Sequence, residues 1–289
     1  MSVAPSRDDD GSDGNGIDES QHQSWLRAKK DFGAVLDRLQ QLPAAAGAKL
    51  QGSFAQRLLD RAFTVDTPRG PIEFVLLGKT AAGRATTLLT KQPATIDWID
   101  GFAPASVFWD IGANVGVYTL YAALRADTRV VAFEPAAVNH FLLAANIEAN
   151  HLNDRVKSLL TGLGEGSGLA RFEVSQFESG KSFSSRERAD RQRRAGQMAM
   201  VVSMDQLVEE FELACPNYIK IDVPAMTEQV ITGGMRMLRR ADVRELHIEL
   251  RAESSTGQRI VAMLDDCGFE FGNRDRHGRS ADVTFIKRG

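Results

Sequence analysis

The chain has 289 residues, 43% of them hydrophobic and 25% charged, which is enough apolar material for one large domain or two small ones. A net charge of -3 provides no long-range attraction to nucleic acid or an anionic membrane, and no apolar run reaches membrane-spanning length. The two cysteines, Cys215 and Cys267, stand far apart and outside any metal-ligand spacing, so both read as packing thiols of a reducing, cytoplasmic protein.

Residues 1–23 are polar, rich in Asp, Ser and Gly, and read as a disordered acidic tail without an apolar signal core. Trp25, Phe32, Val35, Leu36 and Leu39 then recur at helical spacing until Pro43. FTVDTPRGPIEFVLL reads as a β-hairpin, with Asp66, Pro68 and Gly70 as turn residues. TKQPATIDWIDGF reads as a short helix capped by Thr90, with Pro93 in its first turn and Gly101 at its end. Residues 24–102 are therefore expected to form a helical and hairpin extension, and 103–289 a ligand-binding domain.

From Val107 the pattern becomes strand, turn, helix, repeated. SVFWDIG, TRVVAFEP, VKSLLTG, NYIKIDV and ELHIEL are the strands; GVYTLYAALRA, AAVNHFLLAANIEANHL, MDQLVEEF, TEQVITGGMRML and RIVAMLDDCGF are the helices. FEFGNRDRHGRSADVTFIK closes the chain as two strands around a polar turn. Near-continuous apolar strands bracketed by helices predict an α/β fold, a parallel sheet covered on both faces, and the final hairpin adds an antiparallel strand near one edge.

Ligands of open α/β sheets bind beyond the carboxyl ends of the strands. The turn after the first strand, DIGANVG, holds Asp110, Gly112, Asn114 and Gly116. Two glycines there let the backbone turn tightly and approach a ligand. Glu134 ends the next strand, about 20 residues on, where a carboxylate can accept hydrogen bonds from a ribose diol. The third glycine of a dinucleotide fingerprint falls on Val117. Asp110 would oppose a pyrophosphate, whereas S-adenosylmethionine carries an ammonium and a sulfonium. The residues thus favour that cofactor over a dinucleotide; an oxidoreductase is the less favoured alternative, and helix capping by Asp110 the plain one.

These pieces in order (TKQPATIDWIDGF, VFWDIGANVGVYTLYAA, VVAFEPAAVNHFLLAANIEAN, PNYIKIDV and LHIEL) resemble the FkbM-type family of S-adenosylmethionine-dependent methyltransferases from about Phe63 onward. The resemblance implies a Rossmann-like class I methyltransferase fold: seven strands in the order 3-2-1-4-5-7-6, strand 7 antiparallel. It also implies O-methylation of a small molecule or carbohydrate. By the same resemblance Asp110, Gly112, Asn114 and Gly116 would line the methionine half of the cofactor. Glu134 would hold its ribose, and Gly162 and Leu163 would lie on its adenine side. Asp222, ending the fourth strand, would face the reacting methyl.

The family usually continues that strand as Asp-Val-Glu-Gly. Here Pro224 and Ala225 replace the Glu and Gly, and Thr227, followed by Glu228, stands at a later acidic position. A proline there fixes φ and removes a donor, so a non-catalytic domain that keeps the fold is a second reading. For an alcohol acceptor, Asp222 is the candidate base or orienting group. Glu249, on ELHIEL, is a second acid, while His247, of the same parity, reads as buried and satisfied. No metal site is expected. Arg186, Arg188, Arg191, Arg193 and Arg194 form either a solvated face or a lid that attracts an anionic acceptor. No aromatics interleave with them, which speaks against nucleic acid. Arg84 and Thr90 match family positions beside the cofactor pocket.

Overall fold

The protein is described by a computed structural model over residues 19–173, 196–277 and 280–289. Its contacts divide it into a first unit, residues 1–58, and a second, residues 59–289. In the first unit α1 (Glu19–Gln41) and α2 (Ala44–Leu59) are separated at Pro43, and neither helix buries a residue. Helix α1 begins at Glu19, inside the stretch expected to be disordered tail. Helix α2 was not anticipated, because its Gly and Ala content hides the apolar period.

The second unit takes in the hairpin as well as the sheet. Strands β1 (Ala62–Thr67) and β2 (Gly70–Val75) pair antiparallel around Pro68 and Arg69. The Thr67 hydroxyl donates to the Gly70 carbonyl at 2.6 Å and accepts from the Arg69 N–H at 3.2 Å, which closes the turn. Helix α3 (Lys79–Thr86), not foreseen, precedes α4 (Pro93–Asp100). Gln92, not Thr90, is the N-cap of α4, and Gly101 its C-cap.

The remaining elements are β3 (Val107–Ile111), α5 (Val117–Ala123), β4 (Arg129–Phe133), α6 (Ala137–Ala149) and β5 (Val156–Leu159); then β6 (Gly162–Leu163), β7 (Gly168–Glu173), β8 (Gly196–Val202), α7 (Met204–Glu209) and β9 (Tyr218–Ile221); and finally α8 (Thr227–Thr232), α9 (Met235–Leu238), β10 (Glu245–Leu250), α10 (Ser255–Asp266), β11 (Phe269–His277) and β12 (Ser280–Lys287). The helix expected over TEQVITGGMRML breaks at Gly233–Gly234 into α8 and α9.

The main sheet has seven strands in the order β5-β4-β3-β9-β10-β12-β11. Numbered along the sheet's own strands this is 3-2-1-4-5-7-6, with β12 antiparallel to β10, as expected. Strand alternation divides its side chains between two cores. Phe108, Val130, Ala132 and Tyr218 pack with α4, α5 and α6; Trp109, Ile111, Val131, Ile219 and Ile221 pack with α7 to α10. Full burial of each large side chain contributes about 1.5–3 kcal/mol. A separate sheet, β6-β8-β7, was not foreseen. The arginines at 186–194 lie outside the described residues.

Asn146 of α6 and Asn150, which caps its C-terminus, fix the hairpin beside the glycine turn. The buried Asn146 amide accepts from the Val75 N–H at 2.7 Å and donates to the Val115 carbonyl at 2.8 Å. Asn150 accepts from the Glu73 N–H at 2.8 Å and donates to the Glu73 carbonyl at 2.7 Å. These bonds satisfy a strand edge that would otherwise be left bare in the interior.

Candidate active site

The glycine turn joins β3 to α5 with three residues at positive φ: Gly112 at 84°, Asn114 at 55° and Gly116 at 91°. A Cβ on Gly112 would lie 2.7 Å from the Asp222 carbonyl oxygen and 2.9 Å from Val223 Cγ1. One on Gly116 would lie 2.5 Å from Leu143 Cδ1. Glycine is therefore required at both positions by conformation and by space. Asn114 is among the few other residues that tolerate the left-handed region.

Glu134 holds this turn from the tip of β4. Its Oε2 accepts from the Asn114 N–H at 2.9 Å, and its Oε1 from the Ala136 N–H at 2.8 Å. The group is 4% exposed. Burial pushes its pKa up to about 7, against the pull of those two backbone N–H donors and of the Asn139 side chain. The Asn139 side chain donates to the same carboxylate, which leaves one of its four acceptor sites for a ribose hydroxyl.

Asp110 lies under the turn rather than at its mouth. It is 1% exposed, on the face of β3 that packs on α5, and its Oδ2 accepts from the Thr119 hydroxyl at 2.6 Å. Its Oδ1 is buried and has no hydrogen-bond partner among the described residues. Burial raises its pKa, and Lys220 opposes the rise.

Lys220 was passed over in the sequence reading. It is paired in register with Asp110 across β3 and β9, and is 4% exposed. Its Nζ lies 3.1 Å from Asp222 Oδ2 and 4.8 Å from the centre of the Tyr118 ring. Burial alone would discharge such an ammonium; Asp222, Asp110 and Tyr118 instead hold it protonated, above its ordinary range. The available signal was a lysine inside an otherwise apolar strand, YIKI, since a buried charge requires partners. Lys220 also offsets part of the negative charge that the sequence reading assigned to Asp110 alone.

Asp222 follows β9, and burial by itself would raise its pKa. Lys220, with Arg84 and Lys91 beyond it, brings the carboxyl below its ordinary value. Asp222 and Glu249 line one cavity of about 290 Å³, which Arg84, Thr87, Leu88, Lys91 and Gln92 enclose on one side and Val117 and Tyr118 on another. The Tyr118 hydroxyl donates to Gln92 Oε1 at 2.6 Å, and burial pushes its pKa up to about 12. Lys91 is exposed at the rim. Both acids expected to do chemistry thus meet in one cavity, and Arg84 joins them. Thr90 does not line it; its backbone closes a turn onto Thr87.

Gly162 and Leu163 follow the third strand of the main sheet. They form β6 and pair with Val201 and Val202 in the small sheet. Leu163 is buried in the core with Trp109, and Gly162 faces Phe172. Neither lines the cavity. His247 is buried as expected, between the Thr95 hydroxyl at 2.9 Å and the Thr284 hydroxyl at 3.1 Å, and stacked 4.8 Å from Trp98.

The loop after β9 differs from the family pattern in a simple way. The Met226 N–H donates to the Val223 carbonyl at 2.7 Å, which makes Pro224 the second residue of a tight turn, where its fixed φ fits and no donor is needed. Glu228 turns outward and pairs with Arg259 at 2.6 Å. No group of His, Cys, Asp or Glu able to hold a metal ion occurs among the described residues. No helix among them is long and apolar enough to cross a membrane.

Comparison with known proteins adds the following. The family model of the methyltransferase FkbM domain matches residues 110–271. The hexuronic acid methyltransferase AglP of Haloferax volcanii is 28% identical over 180 residues, covering 58% of this chain and 70% of that one. The crystal structure of a methyltransferase FkbM from Methylobacillus flagellatus KT is 18% identical with a TM-score of 0.46, covering 64% of this chain. The match spans less than half of that protein's own length, 44%. A precorrin-6y C5,15-methyltransferase from Geobacter metallireducens GS-15 is 17% identical with a TM-score of 0.42, covering 71% of this chain and 92% of that one.

Proposed function

The chain belongs to the methyltransferase FkbM domain family, and from that premise we propose that it transfers a methyl group from S-adenosylmethionine to an oxygen atom of a carbohydrate. The observation that carries this reading is the cavity in which Asp222 and Glu249, from adjacent strand tips, meet Arg84 and Tyr118 directly beside the glycine turn. The turn suits the cofactor on one specific ground. Among the described residues Asp110 Oδ1 is a buried acceptor without a partner, and an unsatisfied carboxylate oxygen is costly unless a donor completes it, a charged one best of all. The cofactor's ammonium is such a donor. Gly112 and Gly116 would let its chain approach, and Glu134 would take a ribose hydroxyl.

When bound, the cofactor supplies an electrophilic methyl on a sulfonium leaving group. The protein's part is to place the acceptor oxygen in line with that methyl and to exclude water. Asp222, held ionised by Lys220, accepts the hydrogen bond of the acceptor hydroxyl and so orients it. Its low pKa makes it a weak base. A weak base is adequate here, because the hydroxyl becomes strongly acidic only as its oxygen bonds to carbon, and Asp222 takes the proton late. Glu249 lies on the neighbouring strand tip to hold a second sugar hydroxyl. Arg84 and Lys91 provide cationic donors for an acidic sugar, which agrees with a relative named for hexuronic acid. Both thiols are unpaired, and burial raises the pKa of each. Such inert thiols suit a reducing cytoplasm, where we place the activity.

The test is methyl transfer from labelled S-adenosylmethionine to paired uronic and neutral glycosides, with release of S-adenosylhomocysteine followed in parallel. Transfer to the acidic sugars supports the proposal. Transfer to protein or RNA but to no sugar would overturn the acceptor class. No release with any acceptor would favour a domain that has kept the fold without turnover.

A further inference from the structure

Helix α1 carries an apolar face that is largely uncovered, with Val35 and Leu39 half-buried and the rest of the stripe exposed. Trp25, Ala28, Phe32, Val35, Leu39 and Leu42 alternate at spacings of three and four residues. That is the period of a coiled-coil seam, with Trp25, Phe32 and Leu39 at the a positions and Ala28, Val35 and Leu42 at the d positions. Trp25 is 50% and Phe32 52% exposed, and Leu42, just past the helix end, is also exposed. No residue of α1 is buried. A single surface helix does not ordinarily leave a tryptophan and a phenylalanine in water on one stripe.

The flanking charges identify the occupant. Asp31 and Arg38 fall at successive g positions of the heptad, both exposed, and neither is in an ion pair with another described residue. In an antiparallel pair, g positions face g positions. Pairing each a position with a d position of a second copy sets Trp25 against Leu42, Phe32 against Val35 and Leu39 against Ala28, large side chains meeting smaller ones. The same register sets Asp31 against the Arg38 of the second copy and Arg38 against its Asp31. One register therefore satisfies every layer and both charges, and it is its own image under a two-fold axis. A parallel pair would place Asp31 opposite Leu36 and leave both charges unused. We infer that α1 is a self-association arm, and that the protein forms a two-fold symmetric dimer through an antiparallel coiled coil of two α1 helices.

Sedimentation velocity of the full chain across a concentration series tests this. The parent is expected to shift with concentration from the mass of one chain to twice that mass. Asp31→Arg and Arg38→Asp each convert both cross-pairs into repulsions, and each should weaken the dimer roughly tenfold. Mixing the two variants restores attraction at both pairs, so the mixture should dimerise at least as tightly as the parent while each variant alone remains weak. Phe32→Glu buries a charge in a layer and should give a single-chain mass throughout. A parent that stays single-chain at every concentration would overturn the inference, as would two charge variants that dimerise like the parent or a mixture that fails to recover. A single-chain parent that pellets with anionic lipid vesicles would overturn it in favour of a helix lying on a membrane surface.

Discussion

An ammonium enclosed between two aspartates stays charged, and in doing so it decides how those aspartates behave. Lys220 contacts Asp222 at 3.1 Å and faces Asp110 across the strand pair. Removing one partner of a buried ion pair leaves uncompensated charge, so Lys220→Met should destabilise the protein by about 3–5 kcal/mol. The deficit should shrink on acidification as the two carboxylates protonate, which chemical denaturation at several pH values will show. Glu134 gives the second prediction at this scale. Its pKa stands at about 7 in the fold against an ordinary value of 4.5, so the native state binds a proton there that the unfolded chain releases. Stability attributable to this group is full below the lower value and is lost as pH rises to the upper one, by about 3 kcal/mol in all. Glu134→Gln should flatten the stability profile across that interval. Hydroxyl donors favour the ionised carboxylate, so cofactor affinity should rise with pH over the same interval, read as proton release in titrations run in buffers of different ionisation enthalpy. At the turn, Gly112→Val would drive a side chain into the Asp222 carbonyl, 2.7 Å from where its Cβ must sit. That variant should lose cofactor binding while retaining the far-UV dichroism of the fold.

At the scale of elements, α4 is fastened to the sheet through polar groups. Thr95 meets His247, His247 meets Thr284, and the Trp98 indole N–H donates to Glu245 Oε2 at 2.8 Å. His247→Leu keeps the volume but leaves two buried hydroxyls unpaired, at about 1–3 kcal/mol each. Because Gln92 and Lys91 enter α4 at the cavity wall, the same variant should raise KM for the acceptor more than it lowers kcat, as steady-state kinetics will show. The strands of the main sheet can be read from the sequence because VFWDI, RVVAF, YIKI and ELHIEL are apolar runs between turn signals, whereas their order is implied only by the family resemblance. Helices α2 and α3 escape that reading because alanine and glycine carry little periodic signal. The small sheet escapes it because β6 is two residues long and pairs with a strand nearly 40 residues away. In the site, Glu249 was legible from strand parity, and Asp222 from its place at the end of the fourth strand in the family resemblance. Asp110 was legible as a residue but not as a position: its place beneath the turn depends on Thr119 and Lys220, which only the folded register brings to it. Gly162 and Leu163 were assigned by family position alone, and their pairing in a small separate sheet was not legible from the sequence.

For the whole molecule, two units divide the labour. Residues 59–289 carry the sheet, the hairpin that braces the glycine turn and the cavity, while residues 1–58 carry helices with exposed apolar stripes. A dimer made through α1 would place two methyltransferase units on one particle without using any strand tip of the sheet. The central claim is that the turn from Asp110 to Gly116, closed by Glu134, is a pocket for a cationic adenosyl cofactor. Calorimetric titration of the parent and of Gly112→Val with S-adenosylmethionine, and of the parent with a nicotinamide dinucleotide, tests it most directly. The account predicts saturable binding of S-adenosylmethionine at one site per chain, no binding to the variant, and no binding of the dinucleotide. Binding of the dinucleotide without S-adenosylmethionine, or equal binding by parent and variant, would contradict it.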